Sequence, residues 1–348
     1  MEPSTPLLTI GIPTFERRES LVRLLEGLER QRASLDASRI EVIVADNASR
    51  DGTEVLGTRM AAAGSIRYLR NATNLGFEGN IRVLLGAARG EYLWLMGDDD
   101  EVADGFLPEL VGFLGRRLAD LFIVPDRRAG EAETSNLAAR FGIRSGVSAP
   151  LRDFLGEFGL FGILGGIGHA VFRRAELSGL EIYLPLQTRF PHVFLLAHSF
   201  ADRKAVFLPG TGFLVPKMTP EQGEIYRARW DAEGLWVDGW LNCMRATLRL
   251  FEEGRIPTPV KPTFFRMMSD QDWPFHYHVY NALAQRIFVE NVDIDEQMWS
   301  SLAKLDALLG WPSYSSRLNT LFHAALARRS LAESCLGLVN RPEGIFRV

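Results

Sequence analysis

Over roughly the first 125 residues, short continuous apolar runs alternate with stretches whose apolar positions recur every three or four residues. Leu7 to Ile12 (LLTIGI) reads as a buried strand stopped by Pro13. Ser20 to Gln31 places Leu21, Leu24, Leu25 and Leu28 on one helical face, with Ser20 as the expected N-cap. Ile40 to Ala45 is a second strand, and Thr53 is expected to cap a helix through Ala63. A third strand (Ile66 to Leu69), a helix (Phe77 to Ala88), a fourth strand (Tyr92 to Met96), a helix (Phe106 to Leu118) and a strand (Leu121 to Val124) follow. Continuous apolar strands joined by amphipathic helices predict an α/β fold whose mostly parallel sheet is covered on both faces.

In such sheets ligands bind beyond the carboxyl ends of the strands. That rule puts Pro13, Thr14 and Phe15, then Asp46 and Asn47, then Asp98, Asp99 and Asp100 on one edge, although they are distant in sequence. The chain is less regular further on. A polar stretch from Arg127 to Ser148 precedes the glycine-rich FGILGGIGHAVFRR, a helix predicted from about Pro191 (RFPHVFLLAHSF) and a strand in KAVFLPG. From Thr219 the pattern is mainly helical and aromatic, so residues 1–215 are expected to form one domain and 216–348 a helical C-terminal region. Trp236 and Trp240, four apart, share a helix face that suits a core or a homodimer contact better than a ligand platform. The segment RATLRLFEEGR near Arg245 fits a solvated amphipathic helix, with contact to a membrane surface as the alternative.

Composition narrows the choices. The 348 residues carry a formal net charge of -4, which argues against general affinity for nucleic acid. Any phosphate bound here needs a local device such as a metal. Two cysteines, Cys243 and Cys335, make no disulfide framework and fit a reducing compartment. The opening MEPSTPLLTIGIP has no signal-peptide pattern, and no run of about 18 apolar residues occurs. The expectation is a cytoplasmic protein, with a peripheral place at the inner face of the cell membrane as the alternative.

Three stretches bear candidate chemistry. In EYLWLMGDDDEVADG an apolar strand runs into Asp98, Asp99 and Asp100. Adjacent carboxylates repel by about 4 kcal/mol at the effective dielectric near a protein surface. Either the loop is wet and caps the helix near Phe106, or the repulsion is relieved by a hard divalent cation such as Mg²⁺ or Mn²⁺. In VIVADNASRDGT, turn chemistry accounts for Asp51, Gly52 and Thr53 but poorly for Asp46, whose carboxylate can accept a base N–H. In RNATNLGFEGN, Asn74 and Gly76 stand in a loop leading into a helix, where Asn74 and Asn80 can equally be caps.

Together, IPTFER, VIVADNASRDGT, and NLGFEGN followed by ARGEYLWLMGDDD resemble family 2 glycosyltransferases of the GT-A fold, closest to bacterial enzymes that build O-antigen or other surface polysaccharides. The resemblance covers about Leu7 to Val124. It implies an inverting transfer of a sugar from a nucleoside diphosphate sugar to a hydroxyl of a glycan or lipid-linked acceptor. By resemblance, Pro13, Thr14 and Phe15 flank the nucleobase, Asp46 bonds it, Asn74 belongs to the nucleotide site and Asp98 bonds the ribose. Asp99 ligates the metal, with Asp100 as second choice. Gly97 fills the first acidic place of the family's commonest aspartate-any-aspartate pattern. The catalytic carboxylate usual at the start of a later helix is missing from RFPHVF, where His192 stands. His192 is therefore the candidate base, a structural histidine being the alternative; His169 and Asp202 are weaker candidates. A nucleotidyltransferase, or a nucleotide-sugar-binding protein without catalysis, are the competing functions. The former would show a glycine-rich basic loop after strand one, where this chain has PTFERRE.

Overall fold

The computed structural model describes residues 5–132, 136–217, 235–256, 264, 275–288 and 296–309. Its first half follows the predicted alternation: β1 (Leu8–Thr14), α1 (Arg18–Arg32), β2 (Ile40–Asp46), α2 (Thr53–Ala62), β3 (Arg67–Arg70), α3 (Gly76–Ala87) and β4 (Tyr92–Leu95). Then come β5 (Glu101–Val102), α4 (Phe106–Gly115), β6 (Leu121–Ile123), β7 (Asp126–Arg128), α5 (Leu137–Phe141), β8 (Ser148–Pro150), α6 (Leu151–Phe158) and α7 (Leu160–Leu164). The rest comprises β9 (Ala170–Arg173), α8 (Leu180–Tyr183), α9 (Pro191–Phe200), β10 (Lys204–Phe207), β11 (Phe213–Val215), α10 (Leu235–Glu252), α11 (Phe275–Phe288) and α12 (Glu296–Leu309).

Eight strands form one sheet in the order β3-β2-β1-β4-β9-β6-β10-β8, and β5-β11-β7 form a small second sheet. Strands β1 to β4 are parallel to one another, and β10 is parallel to β6. Strand β9 runs antiparallel between β4 and β6. Because β9 reverses direction once on each side, β6 ends on the same edge as β1, β2 and β4. Asp126, just beyond β6, therefore joins the rim that the apolar pattern predicted for the first four strands.

Both faces of the sheet are apolar, which is why the strands read as unbroken hydrophobic runs. Leu8, Ile10, Ile12, Val42, Val44, Tyr92 and Trp94 pack under α1 and α4. Ile43, Ala45, Leu93, Leu95, Leu121 and Ile123 face the opposite core, built with α3, α6, α7 and α9. Helix α10 joins that second core through Trp240, Leu241, Cys243 and Met244. Trp240 meets Phe190 at 5.6 Å and stacks on His278 at 4.3 Å, so one member of the expected tryptophan stripe is core. The side chain of Trp236 lies outside the described residues, as does Cys335.

Helix starts differ from the sequence reading in an instructive way. Ser20 does not cap α1, which begins at Arg18, two residues earlier. The Arg18 N–H donates to Asp51 Oδ2 at 2.8 Å, so a carboxylate from the next loop does the capping. Thr53 is the first residue of α2 rather than its cap. Gly52, at φ 92°, turns the chain, and Asp51 Oδ1 accepts from the Thr53 N–H and hydroxyl. Among the described residues no helix is long and apolar enough to cross a membrane.

Candidate active site

Backbone pairing fixes the rim. Thr14 lies opposite Asp46 in the β1–β2 register, the Asn47 N–H donates to the Thr14 carbonyl at 2.9 Å, and the Met96 N–H donates to the Gly11 carbonyl at 3.0 Å. The strand ends thus arrive side by side, and side chains from three loops meet above them. Pro13 and Thr14 are buried, and Phe15 is half-buried at the mouth.

The three aspartates are not equivalent, and the loop is not the wet helix cap that was one reading of it. Helix α4 is preceded by Gly105, with no side-chain cap. Asp98 and Asp100 are each only 7% exposed, whereas Asp99 is half-exposed. Asp98 accepts from the Thr14 hydroxyl at 2.8 Å and from Arg17 at 3.3 Å. Burial pushes the Asp98 carboxyl up to about 7, with Arg17 opposing and Asp99 adding to the rise. Asp99 Oδ2 lies 2.5 Å from the same Arg17 nitrogen. Burial, then the charges of Asp99, Asp126 and Asp98, drive Asp100 well above the ordinary carboxylate range. Among the described residues no cationic side chain is paired with Asp100.

Gly97 permits this arrangement. A Cβ at residue 97 would lie 2.8 Å from Asp100 Oδ2 and 3.2 Å from Asp99 Oδ1. Two carboxylates therefore close over the space that a side chain at residue 97 would need. The donor set of hard oxygens, the mutual repulsion and this cradle fit a divalent ion of the Mg²⁺ or Mn²⁺ type. Among the described residues no three His, Cys, Asp or Glu side chains surround one point, so substrate oxygens and water would complete such a shell.

Asp46 is fully buried at the end of β2. Its Oδ1 accepts from the Ser49 N–H at 2.8 Å; its Oδ2 accepts from the Tyr68 hydroxyl and from Arg70, both at 2.5 Å. Tyr68 is held in its neutral form, by burial first and by the Asp46 carboxylate second. Asn47 ties the neighbouring loop: its Nδ2 donates to Asn74 Oδ1 at 2.6 Å, and its Oδ1 accepts from the Leu75 N–H at 2.9 Å. Asn74 is exposed and also accepts from the Gly76 N–H at 2.9 Å. Asn80 donates to the Ala45 carbonyl at 2.8 Å and accepts from Asn71, so it braces the strand end rather than capping a helix.

His192 sits in the first turn of α9 and is buried. Its Nε2 faces the Gly165 carbonyl at 3.2 Å, which places the ring proton on Nε2. Nδ1 is buried with its lone pair unused among the described residues. Burial lowers His192 to about 4, the adjacent His169 contributing and the Gly165 carbonyl opposing. The ring is therefore neutral at ordinary pH. His169 accepts from the Gly166 N–H at 3.1 Å through Nδ1, and its Nε2 points at Asp126 at 3.4 Å. Burial works against ionisation of Asp126, but His169 and Arg140 outweigh it and hold the carboxyl below the usual range. In the GGIGH segment, a Cβ on Gly166 would press on the His169 ring at 2.9 Å, so that glycine serves close packing. Asp202 lies beyond the C-terminal end of α9, before β10 begins, and pairs with Arg152 away from the rim.

Sequence reasoning missed Arg17, Asp126, Tyr68 and Arg70. Arg17 was in the quoted IPTFER, and its position two residues beyond Phe15 was the available signal. Asp126 shows only once β9 is known to run antiparallel, since that reversal brings β6 to the rim.

With this geometry in place, comparison with known proteins is decisive for the class. Residues 9–176 match the profile of glycosyl transferase family 2. That segment is a family 2 glycosyltransferase domain. Its fold is GT-A: the S. aureus TarS fragment 1–349 in complex with UDP-GlcNAc superposes at a TM-score of 0.57 with 15% identity, covering 92% of this chain and 87% of that one. The mannosyltransferase PcManGT of Pyrobaculum calidifontis, in complex with GDP-Man and Mn²⁺, does so at 0.52 with 16% identity, covering 94% and 89%. Among curated relatives, the abequosyltransferase RfbV of Salmonella typhimurium is 35% identical over 127 residues, 36% of this chain and 37% of that protein. A GalNAc(5)-diNAcBac-PP-undecaprenol beta-1,3-glucosyltransferase of Campylobacter jejuni is 30% identical over 119 residues, 34% of this chain and 37% of that one. The match thus spans little more than a third of either relative.

Proposed function

We propose that this family 2 domain is an inverting glycosyltransferase that moves a sugar from a nucleoside diphosphate sugar to a hydroxyl of a glycan or lipid-linked acceptor in cell-surface polysaccharide synthesis. The single observation that carries the reading is the convergence of Asp98, Asp99 and Asp100 with Thr14 and Asp46 on one rim of a GT-A sheet. The nucleotide side consists of Pro13, Thr14 and Phe15 around the base, Asp46 and Asn74 behind it, and Asp98 toward the ribose. Asp46 Oδ2 already carries two donors, so Oδ1, with one, is the oxygen left to accept a base N–H. The relatives support the acceptor class, because the Campylobacter enzyme is named for a glycan carried on undecaprenol diphosphate.

Asp99, with Asp100 beside it, would hold Mn²⁺ or Mg²⁺. When bound, that ion supplies positive charge against the diphosphate as it departs. His192 is the proposed base. Its neutral imidazole has a lone pair on Nδ1 and its proton fixed on Nε2; because Nδ1 is enclosed, it takes the proton of the acceptor hydroxyl only when acceptor binding opens the start of α9 to it. The acceptor oxygen then bonds to the anomeric carbon from the face opposite the diphosphate, the bond from that carbon to the diphosphate oxygen breaks, and the configuration inverts.

One observation favours a second reading, a nucleotide-sugar-binding protein that does not transfer. The start of α9 carries no carboxylate, and His192 at about 4 is a weak base. A thermal-shift panel of UDP, GDP, CDP and dTDP with Mn²⁺ tests the shared core of both readings. One of them should raise the melting temperature and lose the effect with EDTA; no stabilisation by any would contradict both. Transfer itself separates the two: His192→Ala should lower turnover far more than donor affinity.

A further inference from the structure

We infer that His169 is a positioning residue for His192, which rests on the reading of His192 as the base. It holds the peptide between Gly165 and Gly166 in the orientation that keeps the His192 proton on Nε2 and leaves its Nδ1 lone pair free. A line of contacts runs from Asp126 to His192. The Asp126 carboxylate lies 3.4 Å from His169 Nε2. His169 Nδ1 accepts from the Gly166 N–H at 3.1 Å, and the Gly165 carbonyl faces His192 Nε2 at 3.2 Å. A ring nitrogen that accepts from an amide carries no proton, so the neutral His169 ring keeps its proton on Nε2, toward Asp126. The Gly166 N–H and the Gly165 carbonyl belong to one planar trans peptide and point opposite ways. Fixing that N–H on His169 therefore aims the carbonyl at His192.

The local sequence makes such a holder necessary. A peptide flanked by two glycines meets little steric resistance to rotation, since neither residue has a Cβ. Rotated by half a turn, it would present its N–H to His192 Nε2, and the His192 proton would then sit on Nδ1. His169 is itself well fixed. Its N–H donates to the Gly166 carbonyl at 3.1 Å, its carbonyl accepts from the Val124 N–H at 2.8 Å, and its ring packs against Phe213 at 5.6 Å. Arg140 anchors Asp126 from another side. The Leu164 carbonyl acts on the His192 ring more weakly than that of Gly165, and it belongs to the same turn at the end of α7. His169 and Asp126 are both buried, and no step of the proposed transfer uses either.

The test is nitrogen NMR of the full chain carrying isotope-labelled histidine, without substrate and at neutral pH, which separates protonated from unprotonated ring nitrogens. The His192 signals are those that vanish in His192→Gln, and the His169 signals those that vanish in His169→Phe. In the wild type both rings should show a protonated Nε2 and an unprotonated Nδ1. His169→Asn sets an amide oxygen near the place of Nδ1 and should keep the His192 pattern. His169→Phe keeps the ring packing but has no acceptor, so the two His192 nitrogen signals should move toward each other as the tautomers mix. His169→Leu repeats the measurement if the phenylalanine variant does not fold. An unchanged His192 pattern in His169→Phe overturns the inference, because packing alone then suffices. A wild-type His192 ring protonated on Nδ1 overturns it as well. These spectra need no turnover, so they are separate from the base reading: unchanged turnover in His192→Ala overturns that reading, and the positioning role with it, even where the tautomers are as expected.

Discussion

At the scale of single residues, the site is governed by what burial does to ionisable groups. His192 has a folded value near 4 against an ordinary 6.5, with burial as the first cause. Between those values the unfolded chain takes up a proton that the folded chain refuses. Stability is therefore fully present above about pH 6.5 and falls as pH drops toward 4, by about 3 kcal/mol in all. Urea unfolding at about pH 7 and about pH 5 should show a wild-type loss roughly 2 kcal/mol larger than that of His192→Gln, which has no such proton. Equal losses would show that the His192 ring is already solvated. Gly97 makes an independent prediction. A methyl group there would push the Asp99 and Asp100 carboxylates outward. Gly97→Ala should weaken Mn²⁺ binding at least about tenfold while changing the melting temperature little, because no apolar packing is lost.

At the scale of elements, the loops are tied to one another more than to their own helices. Asp51 caps α1 from across the rim and shapes the turn before α2, using one oxygen for each task. Ser49 anchors Glu16 in the same way. The double variant Ser49→Ala with Asp51→Ala should cost about 2 kcal/mol in stability, and it should weaken nucleotide binding further because Arg17 and Phe15 lose their fixed approach. Circular-dichroism melts beside nucleotide titration would separate the two effects. These ties also explain what the sequence could and could not reveal. The strands were legible because both faces are buried, so Leu8 to Ile12 is apolar but for Thr9, and Tyr92 to Leu95 is apolar throughout. The α1 start was misplaced because its capping group, Asp51, is 33 residues from Arg18. The same limit hid Tyr68 and Arg70: a partner brought by β3 leaves no local trace beside Asp46.

At the scale of the whole molecule, the sheet order converts these local ties into a site. Four parallel strands bring the motifs of the first hundred or so residues to one edge, and the reversal at β9 adds β6 with Asp126 and His169. The first part was readable from strand–helix alternation; the second was not, because antiparallel insertion depends on tertiary pairing of GGIGHAVF between two other strands. Helix α10 closes the face below α9, packing Trp240 against Phe161 and Phe190. The helical C-terminal region therefore shares a core with the sheet over its described residues.

The central claim is that the aspartate rim holds a sugar donor's diphosphate through a divalent ion. A crystal structure with Mn²⁺ and the nucleoside diphosphate that raises the melting temperature tests it most directly, with anomalous diffraction to locate manganese. The account predicts one manganese peak within bonding distance of Asp99 and of both phosphates, with the base beside Phe15. Nucleotide bound on this rim without a manganese peak at Asp99 or Asp100, or nucleotide bound elsewhere on the molecule, would contradict it.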